Sequence, residues 1–201
     1  PGDRYALELR NRTGERLLAV VSVDGVNVVS GETASASQRG YVLGAGESTE
    51  IAGWRKSTQE VAAFYFTALP DSYAARTRRP ADVGVIGVAA FREYREPVVP
   101  SQESALGGAR ADSAPAAPAA SKAEAQRSAG AEERLGTGHG ERVHAPVRQV
   151  EFRRAGERPD EIITIHYDSF ENLRVQGIIP LARRRPAPNP FPGDRFVADP
   201  S

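Results

Sequence analysis

LLAVVSVDGVNVVSG, Leu17 to Gly31, decides the fold. Two β-branched runs flank Asp24-Gly25, and that dipeptide supplies the positive φ angles of a two-residue hairpin turn. The reading is therefore a β-hairpin, with its apolar alternation set against a core. The neighbours agree. On the N-terminal side, YALELR (Tyr5–Arg10) alternates with a period of two and marks a half-buried strand. On the C-terminal side come short strands at Tyr41–Leu43 and Ser48–Ala52, then two buried ones, VAAFYFT (Val61–Thr67) and VGVIGVAAF (Val83–Phe91). Between them, 70–80 reads as a polar loop. Many short strands with turn signals and no crossover helix exclude a parallel α/β sheet.

The expected fold is all-β and mainly antiparallel: a β-sandwich, immunoglobulin-like or jelly-roll-like, with at most one or two short helices. At Pro97 the composition turns to Ala, Pro, Ser and Gly. Such a stretch buries too little apolar surface to offset its ordering entropy, so 97–142 is expected to be a disordered linker. Pattern returns after Val143, with alternation over Val147–Arg153 and a strand at EIITIHY, Glu161–Tyr167. A helical turn over 168–177 stopped by Gly177 is favoured over a second hairpin arm. Two or three late strands cannot stand alone, which predicts one discontinuous domain of 1–96 and 143–180. Residues 181–201 are expected to form a Pro/Arg-rich extended tail.

The chain has 201 residues, 26 of them basic and 26 acidic. With no net charge there is no whole-protein field to draw it to nucleic acid, so a nucleic-acid partner is not expected. Cysteine is absent, which removes disulfides, thiolate nucleophiles and Cys-ligated zinc. No apolar stretch is long enough to span a bilayer. The chain opens on Pro1, and methionine is absent throughout. A processed start is one account of that, and it motivates the expectation of a periplasmic or extracellular location.

Three sets of residues are candidates for chemistry. Trp54, Arg55 and Tyr73, with Lys56 and Tyr41 in reach, would form an amphipathic patch able to stack on a sugar or peptide. A lone Trp at a strand end serves equally as a core plug. LGTGHGERVH, Leu135–His144, holds His139, Glu141 and His144, all able to ligate a divalent metal. Their spacing matches no helical H-E-x-x-H face and no finger, so a flexible hinge is the favoured account of the stretch. His166 shares a strand face with Asp168 and has the form of an oriented general base, but no nucleophile accompanies it. Arg183–Arg185, in a Pro-rich tail, read as a solvated end.

Through VVSVDGVNVVSG (Val20–Gly31), GWRKS (Gly53–Ser57), AAFYFTALPDSYAART (Ala62–Thr77), LGTGHGER (Leu135–Arg142) and IHYDSFENL (Ile165–Leu173), the chain resembles a family of uncharacterised bacterial proteins. The resemblance implies no activity, cofactor or catalytic residue. It does imply that GTGHGER belongs to the same protein type as the early strands, which adds a little weight to its packing back on the sheet against the favoured hinge. The expected function is a non-catalytic binding or structural module of the cell envelope or periplasm, with protein or glycan as partner and no cofactor. The alternatives are a metal-binding protein or metal-dependent hydrolase using His139, Glu141 and His144, and a subunit of a surface assembly.

Overall fold

The computed structural model describes residues 1–96 and 134–179. Residues 97–133 of the linker expected over 97–142, and the tail expected over 181–201, lie outside the described residues. The chain divides into two compact units, Pro1–Ser169 and Phe170–Ser201. The first is all-β, antiparallel and sandwich-like. Its strands are β1 (Arg4–Tyr5), β2 (Leu7–Arg10), β3 (Leu17–Val23), β4 (Val26–Asn27), β5 (Tyr41–Leu43), β6 (Ser48–Ile51), β7 (Gly53–Arg55), β8 (Glu60–Ala68), β9 (Val85–Arg92), β10 (Leu135–His144) and β11 (Glu161–His166). A short helix, α1 (Tyr73–Arg76), lies between β8 and β9.

The Asp24-Gly25 hairpin is present. Asp24 has φ 51° and Gly25 φ 71°, the left-handed pair that a tight hairpin turn demands, and Val23 faces Val26 across it. The second arm is shorter than the sequence suggests. Asn27 Oδ1 accepts the N–H groups of Val29 (2.8 Å) and Ser30 (3.0 Å), so the side chain takes donors that a longer ladder would need.

Around β3 a sheet forms in the order β11-β9-β3-β4, with β5 also paired to β3. A second sheet runs β1-β8-β10, with β7 also on β8. The expected Tyr5–Arg10 strand divides at Ala6 because its halves have different partners: β1 pairs with β8, and β2 with β6. Val21, Val23 and Ile86 of the first sheet meet Trp54, Ala62 and Phe64 of the second in one core cluster, joined by Ile51 and Leu43. Each large apolar side chain so buried contributes about 1.5–3 kcal/mol. The reverse face of the first sheet carries Leu18, Val20 and Phe91, with Phe152 packed against them.

Three expectations need correcting. Leu135–Arg142, assigned to the linker and its hinge, is most of β10, which pairs with β8 from Leu135↔Ala68 to His144↔Glu60 with a bulge between His139 and Arg142. Its glycines made the segment look like a loop, and they are needed for close approach. A Cβ on Gly138 would come within 2.2 Å of the Tyr65 ring, so the ring lies where a side chain would have been. The second correction is Val147–Arg153, which is no named strand. It runs from Val147, whose N–H donates to the Thr58 carbonyl at 2.8 Å, to the reverse face of the first sheet, where Phe152 packs and the Arg154 guanidinium stands 4.2 Å over the Phe91 ring and donates to the Gln38 carbonyl at 2.6 Å. Within 70–80 a capped turn of helix replaces the expected loop, with Ser72 Oγ accepting the Ala75 N–H at 3.1 Å.

In the second unit, α2 (Phe170–Val175) is the helical turn favoured for 168–177. Gly177 ends it at φ 73°, and its N–H donates to the Arg174 carbonyl.

β8 and β9 lie in the first 96 residues, and their partners β10 and β11 come after 133. A chain truncated after Glu96 strips one neighbour from each. Thermal unfolding followed by circular dichroism is expected to show no cooperative transition in that fragment.

Candidate functional site

Asp24 does more than turn the hairpin. Its carboxylate is fully buried. Oδ1 accepts the Gly84 N–H at 2.9 Å and the Tyr167 hydroxyl at 2.6 Å, and Oδ2 accepts the Thr137 N–H at 2.8 Å. The Tyr167 hydroxyl lies 2.7 Å from Thr137 Oγ1, which lies 2.6 Å from the Tyr5 hydroxyl. Each hydroxyl has one proton. With that of Tyr167 spent on Asp24, Thr137 donates to Tyr167 and Tyr5 donates to Thr137.

Burial raises the Asp24 carboxyl above the usual carboxylate range, against the pull of the hydrogen bonds from Tyr167, Gly84 and Thr137. Burial first, and the Asp24 charge with it, also pushes the phenols of Tyr5 and Tyr167 up. Every polar group of the cluster is spent on another. Such a set ties β1, the β3–β4 turn, the start of β9, β10 and the end of β11 together. Nothing in the sequence pattern singled it out. The one available signal was that Asp24 sits inside an otherwise apolar run, where Asn would turn the chain equally well.

The predicted site residues fall into a different arrangement. Trp54 is 3% exposed, so its ring is core. Its indole N–H donates to the Gly138 carbonyl at 3.2 Å, and its ring lies 4.8 Å from Tyr73 and edge-on to Phe64 at 5.1 Å. Tyr73 in turn lies 5.5 Å from the His139 ring. The structure thus joins one member of the proposed metal set to two of the proposed stacking set, in a line from core to rim. Arg55 is turned elsewhere: it donates to the Tyr41 hydroxyl at 3.0 Å and to the Ala145 carbonyl.

The three metal candidates are not gathered. Glu141 extends to Arg4 at 2.7 Å, and His144 sits opposite Glu60 in the register, beyond the bulge from His139. Among the described residues no three His, Asp or Glu side chains come together in a group that could hold a metal ion. His166 stands exposed on β11, while the Asp168 carboxylate accepts the N–H groups of Leu135 (3.2 Å) and Ser169 (2.8 Å). Arg183–Arg185 lie outside the described residues.

His139 stands half-buried at the rim. Its imidazole is held below the usual histidine range, by burial first and then by the positive charges of Lys56, Arg76 and Arg142. No protein-family model, curated protein or solved structure matches the chain, so the site is read from its own geometry.

Replacing Asp24 by Asn keeps the left-handed turn and the shape, but sets an NH2 against buried donors, at a cost of roughly 1–3 kcal/mol. The pH dependence has a definite sign. An acid whose folded pKa is raised holds its proton more tightly when folded. Stability therefore falls as pH rises from the unfolded value, about 4, to the folded one, and then levels off. The deficit of Asp24→Asn is expected to be largest at the acid end and to narrow with rising pH. Urea melts of both proteins across that range measure it.

Proposed function

We propose that the protein is a non-catalytic β-sandwich binding module whose contact surface is the rim formed by Tyr73, His139, Lys56 and Arg76. The observation that supports it is the Trp54–Tyr73–His139 line. Trp54 is the plug, and Tyr73 and His139 carry its rigidity outward to half-exposed positions beside exposed cations. A rigid aromatic base costs little entropy to present, and such surfaces supply contact area to sugars and peptides. Arg55, on the opposite strand face from Trp54 and Lys56, is held by Tyr41 and Ala145 and stands outside the rim. The buried Asp24 cluster acts as scaffold under the same reading. Lys56→Glu with Arg76→Glu tests the surface, since both side chains are exposed and their loss leaves the core intact. On glycan and peptide arrays the wild type is expected to retain at least one ligand class and the double variant to lose it by roughly tenfold or more. Identical profiles from the two proteins end this reading.

A second reading, a subunit of a surface assembly, is favoured by β11. This strand is at the edge of its sheet, and all six of its residues are exposed, with Ile162 at 67%, Ile163 at 44% and Ile165 at 51%. No charged side chain interrupts Ile162–Ile165, so the usual guards of an open edge are missing there. The occupant is a second copy: two β11 strands paired antiparallel about Thr164 set Ile163 against Ile165 on one face. Light scattering is expected to give a mass that climbs with concentration, and Thr164→Pro to abolish the climb. A wild-type mass that stays monomeric removes this reading.

A further inference from the structure

The rim has a charge pattern as well as an aromatic floor, and the register fixes which side chains share it. Ala62 and Phe64 face the core from β8, and Trp54 stands opposite Ala62. Lys56 follows Trp54 by two residues, and its N–H continues the pairing to the Glu60 carbonyl at 3.0 Å, so Trp54 and Lys56 share a face. Across β8, His139 stands opposite Phe64 and Arg142 opposite Ala62. Arg142 is engaged by Glu60 at 2.9 Å. Arg76, one turn beyond Tyr73 on α1, lies on the side of that helix that meets His139. Where the core-facing side of the sheet runs out into solvent, the positive charges of Lys56, Arg76 and Arg142 thus act on one imidazole. Glu60 offsets one of them. Among the described residues no carboxylate pairs with Lys56 or Arg76.

We propose that this corner binds an oxyanion, a carboxylate or phosphate group of the ligand, between Lys56 and Arg76 and against His139. The inference rests on the rim being the contact surface, and adds the chemistry of what it contacts. Two cations left without a carboxylate, set beside a histidine on which Lys56, Arg76 and Arg142 act as positive charges, lack one component that would lower their mutual repulsion. An anion supplies it. On binding, the anion offsets the positive charges of Lys56, Arg76 and Arg142 at His139: the imidazolium, disfavoured in the free protein by burial first and by those charges next, becomes less disfavoured, and proton uptake accompanies the ligand. The aromatic line behind it fixes the ring, so the anion meets a donor already in position.

The test follows the His139 ring by NMR through a pH titration of the full chain, with the three histidines assigned by single substitution. Inorganic phosphate and galacturonate serve as separate probes, and sodium chloride at matched ionic strength is the control. The expected result is an upward move of the His139 midpoint by about half a pH unit or more with one or both probes. Chloride should move it less, and His166 should not respond to the probes. The pattern of response assigns the source: phosphate alone, carboxylate alone, or either. Lys56→Ala with Arg76→Ala should abolish the move while keeping the melting transition. The proposal is overturned if His139 is indifferent to both probes, moves as much with chloride, or still moves in the double variant. An array ligand that is neutral, bound by wild type with His139 unresponsive to phosphate, would keep the contact surface and remove the anion.

Discussion

The fold depends on one buried carboxylate. Asp24 is placed by a turn that is local in sequence, yet its two oxygens collect N–H groups from residues 84 and 137 and a hydroxyl from residue 167. An antiparallel sandwich must hold two sheets in register, and side-chain packing alone tolerates sliding. Hydrogen bonds do not. A carboxylate that accepts from the first sheet's β9 entry and from the second sheet's β10 fixes the offset between the sheets at a single point. The energetic consequence is asymmetric. A satisfied buried network adds little net stability, while a partly satisfied one costs the full desolvation of each orphaned group. Alternative registers are therefore penalised more than the native one is favoured.

The GTGHG stretch shows how one strand serves two faces. Gly138 and Gly140 leave room for the Tyr65 ring on one side, while Thr137 and His139 point to the other. Thr137 enters the Asp24 cluster and His139 enters the aromatic line. Neither function tolerates a strand pushed away from β8, and side chains at the glycine positions would do that. The low β propensity of glycine is thus overridden by tertiary pairing.

Legibility in the sequence followed the range of the interaction. Asp24-Gly25 was readable because a two-residue turn needs particular φ angles, and only a few residues provide them cheaply. VAAFYFT and VGVIGVAAF were readable because buried strands need apolar runs. The helical turn at Phe170–Val175 was readable from its glycine stop. β10 was not, since its evidence is the absence of side chains, which looks the same in a hinge and in a close-packed strand. The Val147–Arg153 alternation misled in the opposite way: a period of two arises wherever an extended segment covers a surface, whether or not it joins a ladder. The candidate residues were individually visible as a Trp, a Tyr and a His. Their association was not, because Trp54, Tyr73 and His139 meet only through the pairing of β7 and β10 on opposite sides of β8.

That pairing connects scaffold to rim in a specific sense. Thr137 is two residues before His139 on the same strand and the same face, so the position of the imidazole is set by the bond that Asp24 accepts from the Thr137 backbone. Gly138, between them, gives its carbonyl to the Trp54 indole. Three successive residues of β10 are thus held by three different devices: a buried carboxylate, an indole N–H and a tilted phenol ring. Strand geometry alone leaves a side chain near a sheet edge free to swing by more than the tolerance of a charged hydrogen bond. Fixing the backbone on both sides of Gly138 removes that freedom at His139. Lys56 keeps it, being tied among the described residues through its backbone bond to Glu60. The rim therefore combines one fixed ring with at least one adjustable cation, an arrangement suited to recognising a charge while accommodating the body that carries it.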